Sequence, residues 1–116
     1  MYSSHMSRES VDAETEKVLN EFKRRVARIY GPRLKEVILY GSYARGEATE
    51  GSDIDLLIVL EGEVVPGREI DRIIDVVTEV NLRYGVLLSV YPISEREYKE
   101  INSPLLKAVR REGVRV

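Results

Sequence analysis

Apolar side chains recur at helical spacing through Val18, Leu19, Phe22, Val26, Ile29 and Tyr30, a stripe along one helix that Gly31-Pro32 stops abruptly. Val37-Ile38-Leu39-Tyr40 is a short apolar run of strand character that ends at Gly41-Ser42, and polar, glycine-bearing residues follow as far as Ser52. From Ile54 to Leu60, past two aspartates, the chain is apolar on both faces, which predicts a central, buried strand. Pro66-Gly67 opens a second long helix with Ile70, Ile73, Ile74, Val77 and Val80 on one side and Gly85 as its stop. A third strand is expected over Val86 to Tyr91. Ser94 and Glu97 make a capping box for a short helix. Ser103-Pro104 then supplies an N-cap and a first-turn proline for a last helix ending near Gly113.

The predicted order is helix, strand, strand, helix, strand, helix, helix, an α/β sandwich around a small sheet. Strand alternation sends Asp53, Asp55, Leu57 and Val59 to one face of the second strand and Ile54, Leu56, Ile58 and Leu60 to the other. On the third strand Leu87, Ser89 and Tyr91 should join the carboxylate face. Each long helix carries one broad apolar stripe, so both are expected to pack together on the opposite face. The carboxylates would then lie on a concave, partly covered surface. Asp71 and Asp75, one turn apart on the second long helix, are accounted for by a solvated helix face.

Composition narrows the classes. The 116 residues suit one domain, and 43% apolar with 33% charged residues fits a soluble globular chain. A net charge of -2 gives no global basic field, so nucleic acid is not the expected partner. No cysteine is present, which removes disulfides, thiolate zinc sites and cysteine nucleophiles. No apolar run reaches the roughly 18 residues that would span a bilayer, and the N-terminus is too polar for a signal peptide, so the expectation is a cytoplasmic protein without a membrane partner. Gln is absent, and Asn occurs only at 20, 81 and 102, a bias like that of thermophile proteins. Met1-Tyr2-Ser3-Ser4-His5-Met6 reads as an expression remnant, leaving residues 7–116 as a single domain. Because His5 is the one histidine, no histidine base is expected.

The stretch that carries chemistry is Gly41-Ser42-Tyr43-Ala44-Arg45-Gly46 followed by Ser52-Asp53-Ile54-Asp55-Leu56. Gly41 lets the backbone turn out of the first strand and a ligand approach closely. Ser42 stands where a short helix would begin, and free amides with a hydroxyl at a helix start can cradle phosphate. Asp53 and Asp55, two apart at the head of a strand, point to one face. Two like charges held that close call for a cation. Magnesium suits them, since it is satisfied by one or two carboxylates together with phosphate oxygens. A phosphate cradle after one strand facing a metal-binding pair on the next is what in-line nucleotidyl transfer requires.

These residues resemble the signature of the DNA polymerase β-like nucleotidyltransferase superfamily, and in particular its minimal members. The signature covers residues 41 to 56, and the element order from about residue 11 to 112 is compatible with it. The resemblance implies a palm-type α/β fold: a small mixed sheet with helices packed mainly on one face. It implies that Gly41 and Ser42, together with Arg45 and Ser52, contact the nucleotide, with Arg45 equally readable as a structural salt bridge. Asp53 and Asp55 become the catalytic pair and the metal ligands for one or two magnesium ions. The implied substrate is a nucleoside triphosphate, ATP foremost. Minimal members pair with a helical HEPN-type protein as antitoxin to an RNA-cleaving toxin, and some transfer AMP to a tyrosine of that partner. A homodimer is left open.

One departure stands out. Competent members carry a third carboxylate on the next core strand, and Gly85-Val86-Leu87-Leu88-Ser89-Val90-Tyr91 contains no acid. Leu87 and Ser89 are the positional equivalents, and Glu47, Glu50 or Glu61 could reach in only from loops. The leading expectation is a magnesium-dependent nucleotidyltransferase acting on a hydroxyl. The alternative is a catalytically weak nucleotide-binding module that works by docking on a HEPN-type protein.

Overall fold

The computed structural model of the chain describes residues 11–116, so the opening hexapeptide and His5 lie outside the described residues. Helix α1 (Ala13–Tyr30) starts where the Asp12 carboxylate accepts the Thr15 amide at 2.7 Å. It buries Val18, Leu19, Phe22, Val26 and Tyr30, the stripe that the spacing predicts apart from Ile29, which is partly exposed. A 3₁₀ turn over Gly31–Arg33 leads into strand β1 (Leu34–Tyr40). One helical turn, α2 (Ser42–Arg45), separates β1 from the loop before strand β2 (Ile54–Leu60). Helix α3 (Pro66–Tyr84) crosses to strand β3 (Leu88–Ser94), and two short helices follow, α4 (Glu95–Glu100) and α5 (Pro104–Glu112). A two-residue strand, β4 (Val114–Arg115), completes the sheet.

The sheet order is β3-β2-β1-β4. Strand β1 is antiparallel to β2 and to β4, whereas β2 and β3 run parallel, joined by the α3 crossover. The small mixed sheet of the palm-type α/β fold is therefore present. Strand β4 was not expected, because two residues carry no readable period. The third strand also starts and ends later than Val86–Tyr91. Gly85, left-handed at φ 65°, and the Val86 amide bonded to the Asn81 carbonyl at 3.2 Å keep those residues in the helix cap.

Pro92 lies inside β3, which is tolerated because β3 pairs with β2 alone and stands at the sheet edge. The Ile54 amide bonds to the Leu87 carbonyl at 2.8 Å and Ile54 is in register with Leu88, so the backbone groups of Leu88, Val90 and Pro92 face away from β2. The Asn81 side chain takes the outward Leu88 amide at 2.9 Å. A missing donor at Pro92 and a capped one at Leu88 blunt this edge against adding a strand.

Strand β2 divides two cores. Ile54, Leu56, Ile58 and Leu60 pack with Val37 and Leu39 under α1 and α3, as the alternation predicts. Leu57 and Val59 pack on the other face with Ile38, Ile93, Leu106 and Val109, the last two from α5. The two long helices share one face, and the short C-terminal helices cover only the far half of the other. Two buried carboxylates clamp α1 to α3. Glu69 accepts the Tyr30 hydroxyl at 3.0 Å, with Arg33 and Arg72 each 3.9 Å away. Glu21 accepts the Tyr84 hydroxyl at 2.7 Å and both Arg83 contacts, at 3.1 and 3.2 Å.

The Tyr84 hydroxyl, then Arg83 and Arg25, hold the Glu21 carboxyl below the usual range against the opposing effect of burial. A depressed folded pKa contributes stability that is complete above the unfolded value, about 4.3, and is lost as pH falls through the lowered folded value. Glu21→Gln should therefore destabilise the protein at pH 7 and flatten its acid limb. Denaturant midpoints measured between neutral pH and about pH 3, bracketing that unfolded value, check this, and an acid limb unchanged by the substitution would remove Glu21 as its source.

Candidate active site

Strand β1 ends at Tyr40, which pairs across the sheet with Asp55. The next residue, Gly41, adopts φ 76° and ψ −156°, a conformation that a side chain resists. Space is restricted too, because a Cβ on Gly41 would overlap the Asp55 carboxylate. The glycine thus has two reasons to be there, its left-handed φ and the close approach of an acid. Ser42 opens α2, whose first closed bond runs from the Arg45 amide to the Gly41 carbonyl at 3.1 Å. Ala44 is buried, and Gly46, left-handed at φ 73°, ends the turn.

The loop back to β2 is closed by Ser52. Its hydroxyl accepts the Thr49 amide at 2.9 Å, and its own amide donates to the Thr49 carbonyl at 3.0 Å. Asp53 is exposed just ahead of β2, and Asp55, one residue inside the strand, is half-buried. Burial and then the Asp53 charge push the Asp55 carboxyl up, while Arg45 opposes them. Arg45 offsets the repulsion only in part, and two carboxylates offer only hard oxygen donors, so the residues fit a magnesium ion.

Around the pair, Tyr40 stands on one side of Asp55 and Ser89 on the other, in register on β1 and β3. Desolvation, then the Asp55 charge and then Tyr91 push the Tyr40 hydroxyl up. Ser89 is exposed, and Leu87 is 60% exposed although apolar. Among the described residues no group of three or more acids or histidines is placed to hold a metal. Glu47 is paired with Arg45 at 2.9 Å and Glu61 with Lys35 at 3.0 Å.

Gly41, Ser42, Arg45, Asp53 and Asp55 thus meet at the open end of the sheet, and Ser52 shapes the loop between them. Sequence reasoning missed Glu112. Its carboxylate accepts the Gly41 amide at 3.2 Å and Arg45 Nη1 at 2.8 Å, from 71 and 67 residues away. The available signal was an acid on the last residue of a helix, where the macrodipole disfavours negative charge.

The nucleotidyltransferase-domain family profile matches residues 16–113. A Methanocaldococcus jannaschii protein provisionally named a protein adenylyltransferase is 42% identical over 99 residues, spanning 84% of this chain and 93% of its own length. Two solved structures share the fold. A toxin-antitoxin crystallised with AMP-PNP has a TM-score of 0.57 at 16% identity, over 81% of this chain and 68% of that one. A protein from Sulfolobus solfataricus, provisionally named a nucleotidyltransferase, has a TM-score of 0.53 at 21% identity, over 90% and 86%.

Gly41→Ala should destabilise the chain by about 1–3 kcal/mol, combining left-handed strain with overpacking. Asp55→Ala in the same molecule should recover the steric part and leave the φ strain. A double-mutant cycle in denaturant reads that coupling, and strictly additive losses would contradict the contact.

Proposed function

The chain belongs to the nucleotidyltransferase domain family, and on that premise we propose that it moves a nucleoside monophosphate, AMP foremost, from a magnesium-bound triphosphate to a hydroxyl on a protein partner. The observation that carries this reading is the close approach of Gly41 to the Asp55 carboxylate, which sets the Gly41-Ser42 turn beside the first acid of β2. The turn would offer the Ser42 amide and hydroxyl to the triphosphate, the Gly41 amide being taken by Glu112. Asp53 and Asp55 would hold the magnesium, which when bound neutralises charge on the reacting phosphate and the leaving pyrophosphate. Arg45, ion-paired to Glu47 and Glu112, adds positive potential beside Asp55.

The acceptor would approach over the exposed edge made by Leu87, Ser89 and Tyr91. That edge is apolar and aromatic rather than basic, which suits a protein side chain better than a nucleic-acid backbone. The Methanocaldococcus relative's name supports protein as the acceptor, and the sequence resemblance to minimal nucleotidyltransferases supports a partner of HEPN type. Among the described residues no helix is long and apolar enough to cross a membrane.

A second reading is favoured by the absence of a third acid beside Asp55 among the described residues. On it the chain binds Mg-ATP but turns over slowly, acting chiefly by docking on its partner. Magnesium with AMP-PNP should raise the melting temperature of the parent chain, because a ligand specific for the folded state stabilises it. Asp53→Asn with Asp55→Asn should abolish that rise and the transfer of labelled AMP to the partner. Melting that responds equally in the double variant would sink the site assignment.

Leu87→Asp or Ser89→Asp, each adding an acid at the edge of this face, should raise turnover toward the roughly hundredfold that a positioned base contributes. Nucleotide affinity should change little. Robust transfer by the parent chain, unmoved by either substitution, would show that the base comes from elsewhere and would discard the second reading.

A further inference from the structure

Glu112 occupies a position that local rules argue against. It is the last residue of α5, where a carboxylate faces the negative end of the macrodipole, and Arg110 and Arg111 just before it are the residues that the helix end favours. Its side chain is nonetheless only 15% exposed. A charge that is locally disfavoured and largely withdrawn from water must be compensated by its partners. Those partners are the Gly41 amide at 3.2 Å and Arg45 Nη1 at 2.8 Å, one at each end of the single turn that carries Ser42. Arg111 contributes a weaker contact at 4.0 Å.

Delivery of Glu112 to that place is built into the backbone. Gly113 has an ordinary φ of −65°, so it is not there for conformational freedom. A Cβ on it would collide with the Val109 carbonyl and the Ile38 side chain. The glycine lets the end of α5 seat against β1, and β4 then pairs Val114 with Leu39, two residues before Gly41. The C-terminal helix and strand thus grip β1 on either side of Glu112, leaving the carboxylate little freedom.

We propose that Glu112 is a positioning residue for nucleotide binding: it ties the two ends of the Gly41–Arg45 turn together from behind, so that the turn is already shaped when the triphosphate arrives. This rests on the functional reading above. The role is separate from the metal pair, since Glu112 acts on the backbone amide of Gly41 and the guanidinium of Arg45. Preorganisation of this kind appears in binding, because a turn that must be ordered by the ligand costs affinity.

Isothermal titration of the full chain with magnesium and AMP-PNP tests it. Glu112→Ala should weaken binding by about tenfold, the equivalent of one lost charge-assisted hydrogen bond. Glu112→Gln, which keeps an acceptor for the Gly41 amide but loses the charge toward Arg45, should fall between Ala and the parent. In transfer assays the Ala variant should raise KM for ATP while kcat at saturation changes far less. Phe22→Leu, a core substitution on α1 that removes neither hydrogen bond of Glu112 to the turn, controls for lost stability and should leave affinity unchanged. Exchange of the Gly41 amide, followed by NMR without nucleotide, should speed up in Glu112→Ala and not in Phe22→Leu.

Parent-like affinity in Glu112→Ala, or a loss matched by Phe22→Leu, would overturn the proposal while leaving the functional reading intact. Absence of nucleotide binding by the parent chain itself would bring down both.

Discussion

The register of β2 sets everything else in this molecule. Every residue from Leu56 to Leu60 is buried, with alternate side chains committed to two different cores. A slip of one residue would exchange the two sets and drive the Asp55 carboxylate under α1 and α3, at a cost that no partner there could offset. Pairing with β1 fixes the same register from the other side, since Ile38 faces Leu57 and Tyr40 faces Asp55. Packing of ordinary aliphatic residues therefore aims the acids, and no hydrogen bond of the acids themselves is needed to do so.

Where the aliphatic packing ends, electrostatic conflict begins. Asp55 is held among Tyr40, Asp53 and the Gly41 backbone, where burial and like charge both oppose its ionisation. Asp53 stays in water, so the conflict is only partly relieved by solvent. Nearby, Glu112 and Glu47 pair with Arg45, whose positive charge favours the ionised form of Asp55. The result is a cluster in which two glutamates share Arg45 at the turn while the two aspartates are left as neighbouring like charges. A nucleotidyltransferase needs that imbalance, because it is what a divalent cation carried in with the triphosphate would correct.

The far side of Asp55 differs in kind. Ser89 and Leu87 bring no charge, and β3 is an edge strand whose outward backbone is partly closed by Asn81 and Pro92. The site is thus walled by chain on the β1 side and open on the β3 side. Leu87 and Tyr91 are both exposed on that side, where the proposed acceptor would enter. The short helices α4 and α5 close off the rest of that face with Leu106 and Val109, which confines the opening to the end where the carboxylates lie.

By itself the sequence determined the alternation of β2, the two amphipathic helices and the Gly41-Ser42 and Asp53-x-Asp55 signature, because each is written in residues a few positions apart. Periodicity is a local property, and so is the need of a tight turn for glycine. The late start of β3 was hidden because Val86 looks like strand but is held by the cap of α3, and Leu87 meets β2 through its carbonyl just ahead of the strand. Strand β4 was hidden because two residues have no period, and its existence depends on the free edge of β1. That Ser52 also closes its own loop, by accepting the Thr49 amide, was not legible in the sequence. Only the tertiary structure decided that Glu112 reaches Gly41, since that contact joins residues 71 apart through the seating of Gly113 on Ile38. A contact of that separation leaves no mark in local sequence beyond an acid where a helix end would rather have a base.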